Sequence, residues 1–274
     1  KSYTDIERDA LLKELGRAND AIGSVFTQLD EKLTDWSAWD DTYEFVVDRN
    51  DDYRDSNLQA INLANLKINA MVFVSTENDI AFIRGIDMNT VEEVDSTDLG
   101  NYILAHRDIT NHADIDDTVS GILPLPSGPF MAVSKPILNS RGEGPIHGTL
   151  IFGKYLNTDV IDTISRLTNV PIEIFPYNNF SSPADVKNAE QILADGEESV
   201  ISPLSSSTIA AYKILNNLYG EPLLTLKITE QRPIYTQGRF TSNFFIKTVS
   251  ALLLIFGLIL TLALEQFIKC IVQR

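Results

Sequence analysis

The sequence predicts an α+β fold, in which a long N-terminal helix packs on two antiparallel-sheet modules and one apolar helix follows. Three observations predict it. Leu11, Leu15, Ala18, Ile22, Val25 and Leu29 recur at alternating spacings of four and three, the repeat of a helical seam. Two successive groups of short apolar runs are separated by Gly, Pro, Asn and Asp, the punctuation of antiparallel strands. Residues 248–264 read TVSALLLIFGLILTLAL without a charge. With their flanks they approach the roughly 20 residues that span a bilayer core. A buried helix of a soluble protein rarely keeps so long an uncharged run.

Residues 1–47 form the long helix, weakened a little by Gly16 and Gly23. Its seam either lies on the chain's own domain or forms a two-helix dimer, since charged residues fill the positions between. Residues 48–156 make the first, membrane-distal module. Leu66, Ile68, Ala70, Val72 and Val74 alternate, a turn follows at 76–79, and IAFIRGI completes a hairpin. Residues 87–118 are polar, with weak helical or loop character. Strands then fall near 121–125, 130–138 and 146–155. Residues 157–232 repeat the pattern on a smaller scale. A helix with Val160, Ile161, Ile164 and Leu167 on one face precedes strands at 172–175, 199–204, 208–215 and 222–229. Each module is expected to be a sheet covered by helices on one face. Residues 233–268 link to the membrane helix and form it. Residues 269–274 begin a helix beyond it, because Leu260, Leu264, Phe267 and Ile271 keep a four–three–four spacing.

Charge divides at the same boundary. The chain has 22 basic and 38 acidic side chains, net −16. Residues 244–274 hold Lys247, Lys269, Arg274 and Glu265, a net +2, which leaves −18 on residues 1–243. An acidic exterior stays in solution and avoids anionic lipid. It also excludes a nucleic-acid partner, which needs a basic face. Cys270 is the only cysteine, so there is no intrachain disulfide framework. The basic residues flanking the span do not orient it. KSYTDIERDALL has no basic-then-apolar leader.

Residues 35–58 read DWSAWDDTYEFVVDRNDDYRDSNL and hold both tryptophans. On one continuous helix, Trp36, Trp39 and Tyr43 share a face, and Asp40 joins it one turn after Trp36. Aromatic rings beside a carboxylate suit a cationic or amphipathic ligand. They equally suit a packing cluster that anchors the helix on its sheet.

This motif, continued through Asn50, Tyr53, Asn57 and Leu58, resembles the fourth CHASE family of extracytoplasmic sensory domains. The SGPFMAVSKPI run at 127–137 and the GPIHGTLIFGKYL run at 144–156 are similar to it as well. The resemblance covers residues 5–156 and extends to 157–240 by arrangement only. It implies PAS-like, Cache-type modules between two transmembrane helices, with a first span before Lys1. It places residues 1–243 outside the cytoplasmic (inner) membrane and Cys270 inside. The implied output is a histidine kinase, a diguanylate cyclase or a cyclic-di-nucleotide phosphodiesterase. The implied partners are the membrane, a second copy through the first helix, and an unknown small ligand or a periplasmic protein. Trp36, Trp39, Asp40, Tyr43, Tyr53 and Asn57 are the candidate ligand residues. The arginine-and-aromatic signature of amino-acid Cache receptors is missing, so an amino-acid ligand is not implied.

Other constellations are weaker. HRDITNHADIDD at 106–117 offers His106, Asp108 and His112 to a divalent cation, with no fixed geometry. DRNDDY from Asp48 imitates a calcium loop, but Tyr53 replaces its glycine and Gln59 its late glutamate. GEGPIHG has His147 where a dinucleotide fingerprint needs its third glycine, and no cofactor is expected. Asp40 and Asp41 point about 100° apart on a helix, a poor acid/base pair. A membrane-tethered carboxylate or metal hydrolase is the rival class.

Overall fold

The computed structural model describes the backbone of residues 3–272 and the side-chain surroundings of residues 5–232, 244–261, 263 and 264. Helix α1 (Tyr3–Ser37) has 35 residues, about 50 Å at 1.5 Å per residue, and lies across both modules. Leu11, Leu15, Ala18, Ile22, Leu29 and Leu33 are at most 4% exposed. They join one core with apolar residues of both sheets. Of the two uses expected for the seam, the structure has the one within the chain's own core.

The first helix also ends ten residues earlier than the expected position 47. The Ser37 carbonyl accepts the Leu138 N–H at 2.8 Å, and Ala38 bridges Leu138 in parallel. This pairing diverts backbone groups that would continue the helix. Trp39 is extended, at φ −133° and ψ 131°, and leads into α2 (Asp40–Asp48). Arg49 ends α2 in the left-handed region at φ 55°. Asn50 caps α3 (Asp51–Asn57) by accepting the Tyr53 N–H at 2.8 Å. Helix α4 (Ala60–Leu66) leads into the first sheet.

That sheet comprises β1 (Ala70–Ser75), β2 (Ile80–Ile86), β3 (Glu93–Val94), β4 (Val119–Leu125), β5 (Gly128–Pro136) and β6 (Gly148–Tyr155). Its order is β3-β2-β1-β6-β5-β4, antiparallel throughout. Met71, Phe73, Val133, Leu150 and Phe152 face the core of α1. Ala70, Val72, Val74, Ala132 and Ile151 face the other way, against Leu99, Ile103 and Ile109. The first two of these belong to α5 (Thr97–Ala105), and Ile109 ends a short 3-10 turn. The sheet is thus covered on both faces, not one. Double burial explains why the central strands read as unbroken apolar runs. Helix α5 leaves only a weak helical pattern in residues 87–118, because it buries only Leu99, Gly100 and Ile103 among polar neighbours.

The second module follows the expected order. Helix α6 (Thr158–Thr168) starts at the Asn157 cap, which accepts the Val160 N–H at 3.1 Å. Strand β7 (Ile172–Pro176), helix α7 (Ala184–Ala194) and strands β8 (Val200–Pro203), β9 (Thr208–Asn216) and β10 (Pro222–Gln231) complete it. The sheet order is β7-β10-β9-β8. Val186, Ala189 and Leu193 of α7 pack on Val200, Ala210 and Tyr212. The opposite face, with Ala211, Leu224, Leu226 and Ile228, joins the core of α1. The β9–β10 tip reaches the first module, where the Leu218 N–H donates to the Ile122 carbonyl at 3.0 Å.

Strand β10 runs through Arg232 into α8 (Pro233–Val272). Within α8, residues Phe244–Thr261 are long and apolar enough to cross a membrane, and they are exposed. Leu260 and Leu264 are exposed as well. The side chains of Phe267, Lys269, Cys270 and Ile271 lie outside the described residues, as does Arg274.

Candidate ligand-binding site

The tryptophan–aspartate motif folds into three separate arrangements. Trp36 and Trp39 meet edge to face at 6.1 Å, and Trp36 meets Phe152 of the sheet at 6.0 Å. Trp39 reaches Tyr53 at 5.7 Å, and Tyr53 stacks on Phe45 at 4.6 Å. Tyr53 is buried, with its hydroxyl 2.6 Å from Thr42 Oγ1. Burial pushes the Tyr53 phenol up to about 12. The break at Ala38 means that Trp36, Trp39 and Tyr43 do not share one helix face. The tryptophans instead meet across the break.

Asp40 and Tyr43 form the second arrangement. The Asp40 N–H donates to Ser140 Oγ at 2.9 Å, and its carboxylate accepts the Ser140 N–H at 2.8 Å. Hydrogen bonding from the Ser140 N–H, and then from its side chain, holds the Asp40 carboxyl below the usual carboxylate range. Tyr43 stacks on His147 at 3.5 Å and donates to the Pro145 carbonyl at 3.0 Å. Both residues fasten the β5–β6 connection to α2. Asn57 stands apart, its carbonyl accepting Asn62 Nδ2 at 2.9 Å. Replacing Trp39 with alanine is expected to cost about 2–3 kcal/mol, less than for a fully buried aromatic because the ring is only half-buried. Urea denaturation of the variant measures it.

The three metal candidates are dispersed. His106 stacks on Tyr102 at 4.0 Å, and its Nδ1 lies 2.8 Å from the Tyr102 carbonyl. Asp108 accepts the Tyr219 hydroxyl at 3.4 Å. His112 Nε2 lies 3.1 Å from Ser134 Oγ, whose own proton goes to the Ile109 carbonyl at 2.6 Å. This fixes Nε2 as the protonated nitrogen. Nδ1 is buried with no partner. Among the described residues no group of three His, Cys, Asp or Glu side chains could hold a metal.

Burial lowers the His112 pKa, against a smaller opposing pull from Asp117. The folded state therefore binds its proton more weakly than the unfolded state. The stability that neutral His112 contributes is present above its unfolded pKa of about 6.5 and is lost as pH falls through the window below it. The drop in melting temperature from pH 7 to pH 5 is expected to be smaller in His112→Phe than in the natural chain.

A cavity of about 260 Å³ lies elsewhere, between α1, the first sheet and α6. Its polar lining includes Gln28, Lys32, Lys67, Asn69, Asn157 and Lys154. Lys32 Nζ donates to the Leu66 carbonyl at 2.6 Å. Burial, and then Lys67, lower the Lys32 pKa; burial, and then Lys32 and Lys67, lower that of Lys154. This group leaves no pattern in the sequence, because residues 32, 67 and 154 are far apart in the chain. The one local signal is Lys154, a cation inside the apolar strand GTLIFGKY.

The model of the CHASE4 domain matches residues 21–175. The methanogenesis regulatory histidine kinase FilI of Methanothrix harundinacea is 26% identical over 241 residues, which are 87% of this chain and 26% of that relative's length. Among the solved structures that match the fold are two with a TM-score of 0.53 each. One is the extracellular domain of vpHK1S-Z8, described as a histidine kinase, at 14% identity over 86% of this chain and 95% of the other. The second is a domain ascribed to a sensory box/GGDEF family protein of Vibrio parahaemolyticus, at 13% identity over 85% and 99%. The family match covers more than half of the sequence and includes the aromatic motif and the whole first sheet: the chain belongs to the CHASE4 domain family.

Proposed function

We propose that this chain is the extracytoplasmic sensor region of a receptor in the cytoplasmic membrane, and that it passes a signal through α8 to a histidine kinase output. The observation that carries this reading is the junction at Arg232. Its Nε and Nη2 both donate to Glu7 Oε2 at 3.0 Å, with side chains 6% and 7% exposed. The start of α1 and the start of α8 are thereby tied to each other and to the last strand of the second sheet. A displacement along α1 is passed to α8 across this buried contact.

The kinase output follows the relative FilI; a cyclic-di-nucleotide enzyme is the variant hinted at by the Vibrio protein. A second copy would pack along the outward face of α1. The aromatic motif then acts as the fastening that keeps α1 and α2 on the first sheet, so that sheet and helix move together.

Inserting one alanine between Arg232 and Pro233 turns α8 by about 100° relative to the sensor. In the full receptor, autophosphorylation should become independent of the signal, locked high or low. A normal signal response with the insertion would contradict transmission through this junction.

A further inference from the structure

We propose that the cavity between α1, the first sheet and α6 binds a small organic carboxylate with a short apolar chain. Lys32, Lys67 and Lys154 would hold the carboxylate, and the apolar wall would hold the chain.

The surroundings make this grouping of cations unusual. Residues 1–243 carry a net charge of −18, with 19 basic side chains in all. Three of the 19 converge on this one cavity, where Asp159 is the only carboxylate in the lining. Asp159 is engaged by Asn89 Nδ2 at 3.4 Å. Among the described residues none of the three lysines has a carboxylate within ion-pair distance. Lysines without a counter-ion normally turn to solvent. Here Lys32 and Lys154 are half-buried, and burial together with mutual repulsion weakens their hold on protons. A bound anion removes both costs.

The rest of the lining selects the kind of anion. Val25, Leu29, Met88, Val160, Ile164 and Leu167 form the apolar wall. Leu167 is 80% exposed although it lines the mouth, and a bound chain would cover it. No arginine lines the cavity, so the bidentate fork that favours phosphate is missing. Point-charge ammonium groups beside an apolar wall suit a carboxylate on an alkyl chain.

The position gives binding a consequence. Lys32 belongs to α1, Lys154 to the first sheet, and Ile164 and Leu167 to α6, the first element of the second module. A ligand here bridges all three. The binding claim itself stands apart from the sensor reading; only this consequence rests on it.

Hexanoate is a suitable probe, titrated calorimetrically into the full chain in lipid nanodiscs, with empty nanodiscs as the blank. Hexanoate should bind saturably at one site, and hexylamine and inorganic phosphate at least tenfold more weakly. Lys154→Gln and Leu167→Asp should each weaken hexanoate at least tenfold. Leu167 is exposed, so its variant keeps the fold even if a lysine variant does not. Lys213→Gln, away from the cavity, should change nothing. Absent hexanoate binding, binding untouched by Leu167→Asp, or phosphate binding equal to hexanoate overturns the proposal. If hexanoate fails while the receptor still responds to its own signal, the ligand assignment falls and the sensor reading stands.

Discussion

Gly153→Val is expected to unfold the first module at temperatures where the natural chain is folded. Gly153 sits in β6 at the centre of the sheet, opposite Ala70 on one neighbour and Ala132 on the other. A Cβ there would run into the ring of Phe130 and come within 2.9 Å of the Met131 carbonyl oxygen. Phe130 is fully buried and packs edge to face on Tyr155 at 4.9 Å, so it has nowhere to go. Overpacking of this kind costs about 1–3 kcal/mol, more where backbone is involved. A loss of about 3 kcal/mol lowers the melting temperature by roughly 6–12 °C for a chain of this size. Gly16→Ala is the control, since nothing lies within 4 Å of its Cβ position. In a helix it should stabilise by about 0.5–1 kcal/mol. Equal melting of Gly153→Val and the natural chain would contradict the packing of β6.

Arg232→Met is expected to have the larger functional effect. The pair with Glu7 joins residues 225 apart in sequence, so it is a tertiary clamp and not a local helix contact. Removing one partner of a buried pair costs about 3–5 kcal/mol. The loss falls on the first turns of α1 and on the exit of β10. Amide hydrogen exchange should rise at both places and stay unchanged in α5, which packs on the far face of the first sheet. In the receptor, the variant should lose signal dependence even at temperatures where the sensor remains folded. Lys227 is a useful contrast. It pairs with Asp185 at 3.0 Å inside the second module, so Lys227→Met should lower stability without disconnecting α1 from α8.

Much of this architecture was legible in the residue pattern. The seam of α1, the hairpin of β1 and β2, the strands of both sheets and the uncharged part of α8 all follow from periodicity and turn residues. What periodicity cannot carry is tertiary competition. Ala38 sits in a good helical pattern, yet its backbone pairs with Leu138, a partner 100 residues away. The same limit hid α5, which buries few residues, and the choice between a dimer seam and an internal one. The aromatic motif was visible, and so was its family, but the roles of its members depend on partners such as Ser140, Pro145 and Phe152. The lysines of the cavity gave almost no local signal, because each lies on a different element.

In the proposed topology residues 1–243 lie outside a membrane that α8 crosses. The only cysteine, Cys270, permits a direct measurement with a membrane-impermeant maleimide on intact cells. In the natural chain Cys270 should stay unlabelled until the cells are permeabilised. In a Cys270→Ser chain carrying Glu197→Cys, an exposed position of the second module, labelling should occur without permeabilisation once the outer envelope admits the reagent. Labelling of Cys270 in intact cells, together with protection of the cysteine at 197, would reverse the proposed topology.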